Sequence, residues 1–207
     1  GFIVTAGDTD VVVNCEYGQT IVPAGTTQNV SYRTGKTDGT LFTQITFTGD
    51  VVEIGSMSES TSAKGLPEGY GNIAKVDDWG SLKRIGEYLF SSVLLDNATG
   101  LVIPNQITYI GDSAFFRSGI RATEVVLPSY YTEFGDDVFY QCDVELGDKK
   151  EFVIPDWMTH IPYGFLRQTM YIQKVIIPDS VVGWTPSVTG LEGYAFAQSG
   201  SLREVVF

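Results

Sequence analysis

The chain has 207 residues, 43% of them hydrophobic and 18% charged, which suffices for a buried core and excludes whole-chain disorder. Lys and Arg number 13 against 25 Asp and Glu, a formal net charge of −12 that repels phosphate backbones and argues against a nucleic-acid partner. No apolar run approaches the roughly eighteen residues of a membrane helix, and the two cysteines, Cys15 and Cys142, make neither a disulfide scaffold nor a zinc site.

The chain starts at Gly1 with no basic and apolar leader, as a processed mature protein or a cloned fragment does, and either reading fits an exported protein. Residues 1–40 are rich in threonine. They carry β-prone runs at Ile3-Val4-Thr5, Val11-Val12-Val13 and Asn29-Val30-Ser31-Tyr32, punctuated by Gly18, Pro23-Ala24-Gly25 and Gly35. A small N-terminal β cap is the expectation, because forty residues are marginal for independent folding. Gly35-Lys36-Thr37 looks like the tail of a phosphate loop, but Val30 stands where that motif needs glycine. Asp8-Thr9-Asp10 begins like a calcium loop and lacks its glycine and closing glutamate, so solvated turn carboxylates are the better reading. Asn29-Val30-Ser31 and Asn97-Ala98-Thr99 are formal glycosylation acceptors and also read as ordinary turns.

Residues 41–207 repeat. Prolines follow branched aliphatics at Ile103-Pro104, Leu127-Pro128, Ile154-Pro155 and Ile177-Pro178, with spacings of 24, 27 and 23. A second mark follows each one: Ile110-Gly111-Asp112-Ser113-Ala114-Phe115, then Phe134-Gly135-Asp136-Asp137-Val138-Phe139, then the shortened Ile161-Pro162-Tyr163-Gly164-Phe165, then Leu191-Glu192-Gly193-Tyr194-Ala195-Phe196. Ile85-Gly86-Glu87-Tyr88-Leu89-Phe90 precedes them, and Ile45 to Gly55 reads as a degenerate end repeat in which Glu59 takes the phenylalanine slot. Between these marks, Glu124-Val125-Val126-Leu127, Glu151-Phe152-Val153-Ile154, Lys174-Val175-Ile176-Ile177 and Glu204-Val205-Val206-Phe207 predict short strands that a proline, lacking an N–H, brings to an end. Glycine is expected to permit a tight turn, and phenylalanine to insert between coils. Ser118, Cys142 and Ser199, three residues after a phenylalanine, occupy a slot for small side chains.

The unit Ile-Pro … Ile-Gly-x-x-Ala-Phe-x-x-Cys … Leu-x-x-Val-x-Ile-Pro resembles the BspA-like (Treponema-type) class of bacterial leucine-rich repeats. Ile110 to Phe115 matches its turn half; Ile172 to Pro178 and Leu202 to Phe207 match its strand half. Ala122, smaller than the family's aliphatic residue, and the first coil's missing phenylalanine depart from it. The resemblance implies an α/β, β-rich leucine-rich-repeat solenoid of about six coils over residues 41–207. A parallel sheet on the concave face and short helical turns opposite belong to that picture. It also implies an exported or surface-displayed bacterial protein that binds other macromolecules.

The residue types that carry chemistry are sparse. His160 is the only histidine, which removes multi-histidine metal sites, and its slot before the turn reads as an exposed loop. No nucleophile-elbow pattern accompanies a serine. The adjacent pairs Asp77-Asp78 and Asp136-Asp137 diverge and make no acid/base couple, although carboxylates from different coils can meet in space. Cys142 reads as an inert core thiol, too many coils from Cys15 to pair with it. No catalytic residue, metal or cofactor is expected.

Binding surfaces are the alternative to chemistry. Outward strand positions form a column of Val102, Val126, Val153, Ile176 and Val206 beside a column of Glu124, Glu151, Lys174 and Glu204. In one reading these are ordinary solubilised strand residues; in the other, an apolar stripe beside a charged one docks a partner. Trp157 and Trp184, the latter in an insertion from Gly183 to Gly190, could stack on sugars, anchor a protein interface or pack at the core's edge. The expectation is thus a non-enzymatic module for a protein or glycan ligand, with adhesion at the cell surface as its setting. Alternatives are a phage fibre or tail β-solenoid, recognised by three sheets around a prism, and a carbohydrate-binding or carbohydrate-active surface protein. The strand ending at Phe207 also suggests self-association through the C-terminal coil edge.

Overall fold

Punctuation every two dozen residues turns this chain into short strands that stack rather than long ones that span. The computed structural model describes residues 2–15, 18–30, 45–56, 73–74, 76–97, 99–185 and 194–207. The readings made on Gly35-Lys36-Thr37, Glu59, Ser31, Ala98, most of the insertion (186–190) and residues 191–193 lie outside these, as does the side chain of Cys15.

The first six strands are β1 (Phe2–Ala6), β2 (Val11–Cys15), β3 (Gly18–Val22), β4 (Thr27–Val30), β5 (Thr46–Thr48) and β6 (Val51–Ser56). β1 pairs antiparallel with β4 and β6, and β2 antiparallel with β3 and β5. Phe2, Val4, Val11, Val13 and Val22 are buried between them. β5 and β6 lie beyond residue 40 and still pair with the N-terminal strands. Asp8 to Asp10 serve the turns: Asp10 Oδ1 accepts the Ala24 N–H at 2.8 Å, and Thr9 Oγ1 accepts that of Asp50 at 3.0 Å.

The remaining strands are β7 (Ile73–Ala74), β8 (Arg84–Ile85), β9 (Leu94–Asn97), β10 (Leu101–Val102), β11 (Tyr109–Ile110), β12 (Gly119–Ala122), β13 (Val125–Val126), β14 (Glu133–Phe134), β15 (Asp143–Leu146), β16 (Glu151–Val153), β17 (His160–Ile161), β18 (Lys174–Ile176), β19 (Gly183–Trp184) and β20 (Glu204–Val206). All their pairings with one another are parallel, each strand to its counterpart one coil away. One ladder runs β6-β8-β11-β14, another β7-β9-β12-β15, and a third face holds β10-β13 and β16-β18-β20. β6 lies between the N-terminal strands and the parallel ladders, antiparallel to β1 on one side and parallel to β8 on the other.

Two expectations need correction. No helix forms opposite the sheet among the described residues; each coil turns there through a β-turn segment. Within it, alternate N–H groups bond to the next coil, as Tyr88 to Asp112 O (3.2 Å), Phe90 to Ala114 O (2.8 Å) and Ser92 to Phe116 O (2.8 Å). Residues between them bond three positions back, as Phe116 to Ser113 O (2.9 Å). Left-handed backbone recurs every fourth residue, at Ser113 and Arg117 and at Asp137 and Gln141, which is incompatible with a continuing helix. The second correction concerns the recurring glycine. Gly86, Gly111 and Gly135 do not hold left-handed backbone. They are needed because coils touch there: a Cβ on Gly86 would stand 2.7 Å from Gly55 Cα, and one on Gly111 2.7 Å from Glu87 N.

The copy that looks shortened is also complete. Phe139 N–H donates to Phe165 O (3.1 Å) as Phe115 N–H donates to Val138 O (2.9 Å), and left-handed Gly164 and Gln168 match Asp137 and Gln141. Leu166 therefore fills the phenylalanine slot, and Phe165 the Ala114/Val138 slot. Pro162 takes the glycine's place and has no N–H to donate, and there the ladder breaks between β14 and β17.

Phe90, Phe115 and Phe139 stack at 5.1 and 5.0 Å between centroids, both pairs 16° from parallel. Phe165 meets Phe134, Phe139 and Phe152 edge-on at 5.4, 5.3 and 6.2 Å. The small slot behind this spine is a hydrogen-bond column as well as a space. Ser118 Oγ donates to Phe90 O, Cys142 Sγ to Phe115 O at 2.6 Å, and Ser199 Oγ to Leu166 O at 2.7 Å.

Candidate functional site

Proline follows β10, β13, β16 and β18, so only two or three residues per coil present side chains on the third face. Alternation decides which. Val125 and Leu127, Phe152 and Ile154, and Val175 and Ile177 point inward and are buried. Val102, Val126 and Val153 point outward at 51%, 37% and 46% exposure, with Ile176 and Val206 half-buried beside them. The structure brings these together in two blocks. Val102 pairs with Val126, Val153 with Ile176, and Ile176 with Val206. The blocks are separated where Gly147, Asp148, Lys149 and Lys150 lengthen the approach to β16.

The charged column behaves as one unit in the second block, where Glu151, Lys174 and Glu204 are in register. Lys174 Nζ lies 3.6 Å from Glu151 Oε2 and 3.9 Å from Glu204 Oε1. Glu124, just ahead of β13, is exposed, and its side chain passes over Gly100. Uncharged area thus lies beside a strip of net negative charge.

The loop aromatics are placed differently from one another. Trp157 is half-buried: its indole N–H donates to Pro128 O at 2.7 Å, and its ring stacks on Phe134 at 6.1 Å. Trp184 is 42% exposed and meets Phe196 edge-on at 5.8 Å. Trp79 packs at the core's edge, edge-on to Phe90 at 6.2 Å, with its N–H on Val102 O. The repeat pattern did not single out Tyr130 and Tyr131, which stand out of the same loops at 69% and 76% exposure. The adjacent pair was visible, but its outward orientation was not.

Other reactive residue types have structural settings. His160 lies in a two-residue strand rather than a loop, exposed, with Nδ1 3.1 Å from Thr159 Oγ1. Burial pushes the Cys142 thiol far above its usual range, so thiolate chemistry is suppressed. Asp137 is raised from the ordinary carboxylate value, chiefly by burial and further by Asp136 and Asp112, with Arg167 opposing. Its Oδ1 is buried with no hydrogen-bond partner. No group of three or more metal-ligating side chains occurs among the described residues, and no helix there is long and apolar enough to cross a membrane.

Residues 69–203 match the family model of the BspA type leucine rich repeat region, in six copies. The chain belongs to this family. No curated protein and no solved structure matches it. As a BspA-type leucine-rich repeat protein, the chain is a β-solenoid of a family used for protein–protein interaction, and typically for binding rather than catalysis. The parallel ladders, the phenylalanine spine and the small-residue column are this chain's physical form of the repeat.

Proposed function

We propose that the protein is a non-enzymatic binding module of a bacterial surface or exported protein, used in adhesion or contact with host macromolecules. The third face is its docking surface, with Glu124, Val126, Glu151, Val153, Lys174, Ile176, Glu204 and Val206 as its central residues. The observation that carries this reading is the outward valine column, kept uncovered beside carboxylates that an interior would not accept. Trp157 and Trp184 serve in this reading as loop aromatics for a protein or glycan ligand. In this reading residues 1–40 act as a cap on the solenoid of residues 41–207. Self-association would use the β20 edge, where Val205 and Phe207 are exposed.

A phage-fibre β-solenoid remains the second reading, favoured by the parallel ladders on several sides of each coil; the family match weighs against it. The test is a binding screen of the full chain against matrix proteins and glycans, alongside a hydrolysis screen on polysaccharides. A saturable ligand should lose about tenfold in affinity when Glu124→Lys and Glu151→Lys are combined, the size expected for reversing charges at an interface. An unaffected ligand would place the docking surface elsewhere, and robust polysaccharide turnover would replace binding with catalysis.

A further inference from the structure

Aromatic rings on this solenoid commonly carry a cation from the chain itself. The Arg84 guanidinium stands 3.8 Å from the Tyr109 centroid, Arg117 5.0 Å from Phe116 and Arg167 4.8 Å from Tyr140. The proline-side loops of the middle coils are also aromatic, with Tyr130, Tyr131 and Trp157. Segments 128–134, 155–161 and 178–185, which build that flank beyond Tyr109, contain no Lys or Arg; the coil before Tyr109 carries Lys83 and Arg84, the latter paired with Glu53 at 2.7 Å. Their charged residues are Glu133, Asp156 and Asp179, all exposed, with exposed His160 as the one other titratable base. Lys149 and Lys150 precede β16, at the end of that strand away from these loops.

The shelf is also out of step with its neighbours. Counting from each proline, Tyr131 occupies the position of Ile107 and Met158, which are 0% and 2% exposed, yet it is turned outward. The next residue, Thr132, is buried in its stead, donating to Ile107 O at 3.0 Å. Tyr131 then meets Trp157 edge-on at 5.7 Å. Below it, Ser129 N and Oγ bond to Asn105 Oδ1 at 2.8 and 3.0 Å, and Trp157 is held on Pro128 O. Tyr131 and Trp157 are thus presented together, with exposed Tyr130 next to Tyr131 in the chain, on two loops already fixed by hydrogen bonds, so little ordering is lost when a ligand arrives.

We propose that the Tyr130–Tyr131–Trp157 shelf binds an arginine-rich segment of a partner protein. A guanidinium lies flat on tyrosine and tryptophan faces and keeps its edge N–H groups free. Glu133, two residues from Tyr131, and Asp156, next to Trp157, supply carboxylates to receive them. Charge complementarity selects a basic segment over an acidic one, and planarity selects arginine over lysine. Of the shelf, only Trp157 belongs also to the docking activity proposed above; Tyr130, Tyr131, Glu133 and Asp156 lie outside the third-face strands β10, β13, β16, β18 and β20, so variants at those four test the shelf by itself.

The probe is nona-arginine, titrated calorimetrically into the full chain at about 150 mM salt, where distant charges are screened, with nona-lysine as the equal-charge comparison. Saturable binding of nona-arginine, tighter than nona-lysine, is expected. The pair Tyr130→Ala and Tyr131→Ala should weaken it about tenfold, the size of two exposed cation–π contacts. Asp156→Asn should weaken it several-fold, whereas Asp148→Asn, which removes the same charge from an exposed loop elsewhere, should not. Tyr131→Phe keeps the ring and should retain binding. Should the double alanine variant fail to fold, the Asp156 and Asp148 comparison decides alone. Equal binding of both peptides, equal binding by wild type and the tyrosine variant, or no binding at all would overturn the proposal. Tyrosine-dependent binding of a neutral oligosaccharide in place of the peptide would overturn the partner class.

Discussion

Phe139 shows what one residue contributes to this fold. It is fully buried, stacked on Phe115 at 5.0 Å and met edge-on by Phe165 and Phe152 at 5.3 and 5.7 Å, so its ring bridges three coils. Phe139→Ala should cost about 3–5 kcal/mol in denaturant unfolding, the range for a large core truncation; a loss below about 1 kcal/mol would be that of a surface site. Cys142 three positions on acts through its Sγ donation to Phe115 O, a role Ser118 plays one coil earlier with a hydroxyl. Cys142→Ser should therefore stay within about 1 kcal/mol of wild type, with Cys142→Ala the more destabilising because it empties a buried donor position. Paired melts of the two variants check the order. Phe139 and the small slot were legible because their residue types recur at fixed phase. The coil of Ile161 to Leu166 was not: Phe165 fills the slot of Ala114 and Val138 while Leu166 takes that of Phe139, and an alignment that follows phenylalanine slips by one residue there. Tyr131 escaped for a related reason, since periodicity places it with buried Ile107 and Met158 while Thr132 takes the interior.

At the scale of the element, the turn segment distinguishes this solenoid from one backed by helices. Its N–H groups alternate between partners in their own turn and in the next coil, a division no hydrophobic pattern encodes. The third-face strands were readable, because β-branched runs stopped by proline admit few other structures, whereas the ladders β7-β9-β12-β15 and β8-β11-β14 were not read as strands. The break at Pro162 follows from the same missing N–H, acting in the ladder instead of at a strand end. Asp137 shows the electrostatic side of the turn. Its carboxyl sits raised above the ordinary 3.8 by burial, so the folded chain holds that proton more tightly than the unfolded one. Stability from this group is therefore present at low pH and declines as pH rises from 3.8 through the raised value. Asn tolerates the left-handed backbone at this position. Asp137→Asn should raise the melting temperature at neutral pH, and the difference should vanish below pH 3.8. Melting curves across that range check it; an advantage that persists in acid would point to packing rather than charge.

For the whole molecule, stacking explains which surfaces are covered. Val125 and Leu127 are buried under the next coil, while the equivalent Val205 and Phe207 of the last described strand are 37% and 85% exposed. The −12 charge, which composition used only to exclude nucleic acid, acquires a distribution. Part of it is balanced on the third face by Lys174 between Glu151 and Glu204, and part stands along the Tyr130–Tyr131 flank, where segments 128–134, 155–161 and 178–185 carry no lysine or arginine. The repeat and its family were readable in the sequence because a solenoid writes each coil's requirements anew. The distribution of charge around the coil required the ladders themselves. The central claim is that the molecule works by docking partners on its outward third face. The most direct test is the affinity of a matrix-protein or glycan ligand for wild type and for the combined Glu124→Lys and Glu151→Lys variant. The account predicts saturable binding that weakens about tenfold in the variant. Equal affinity in both proteins would contradict it.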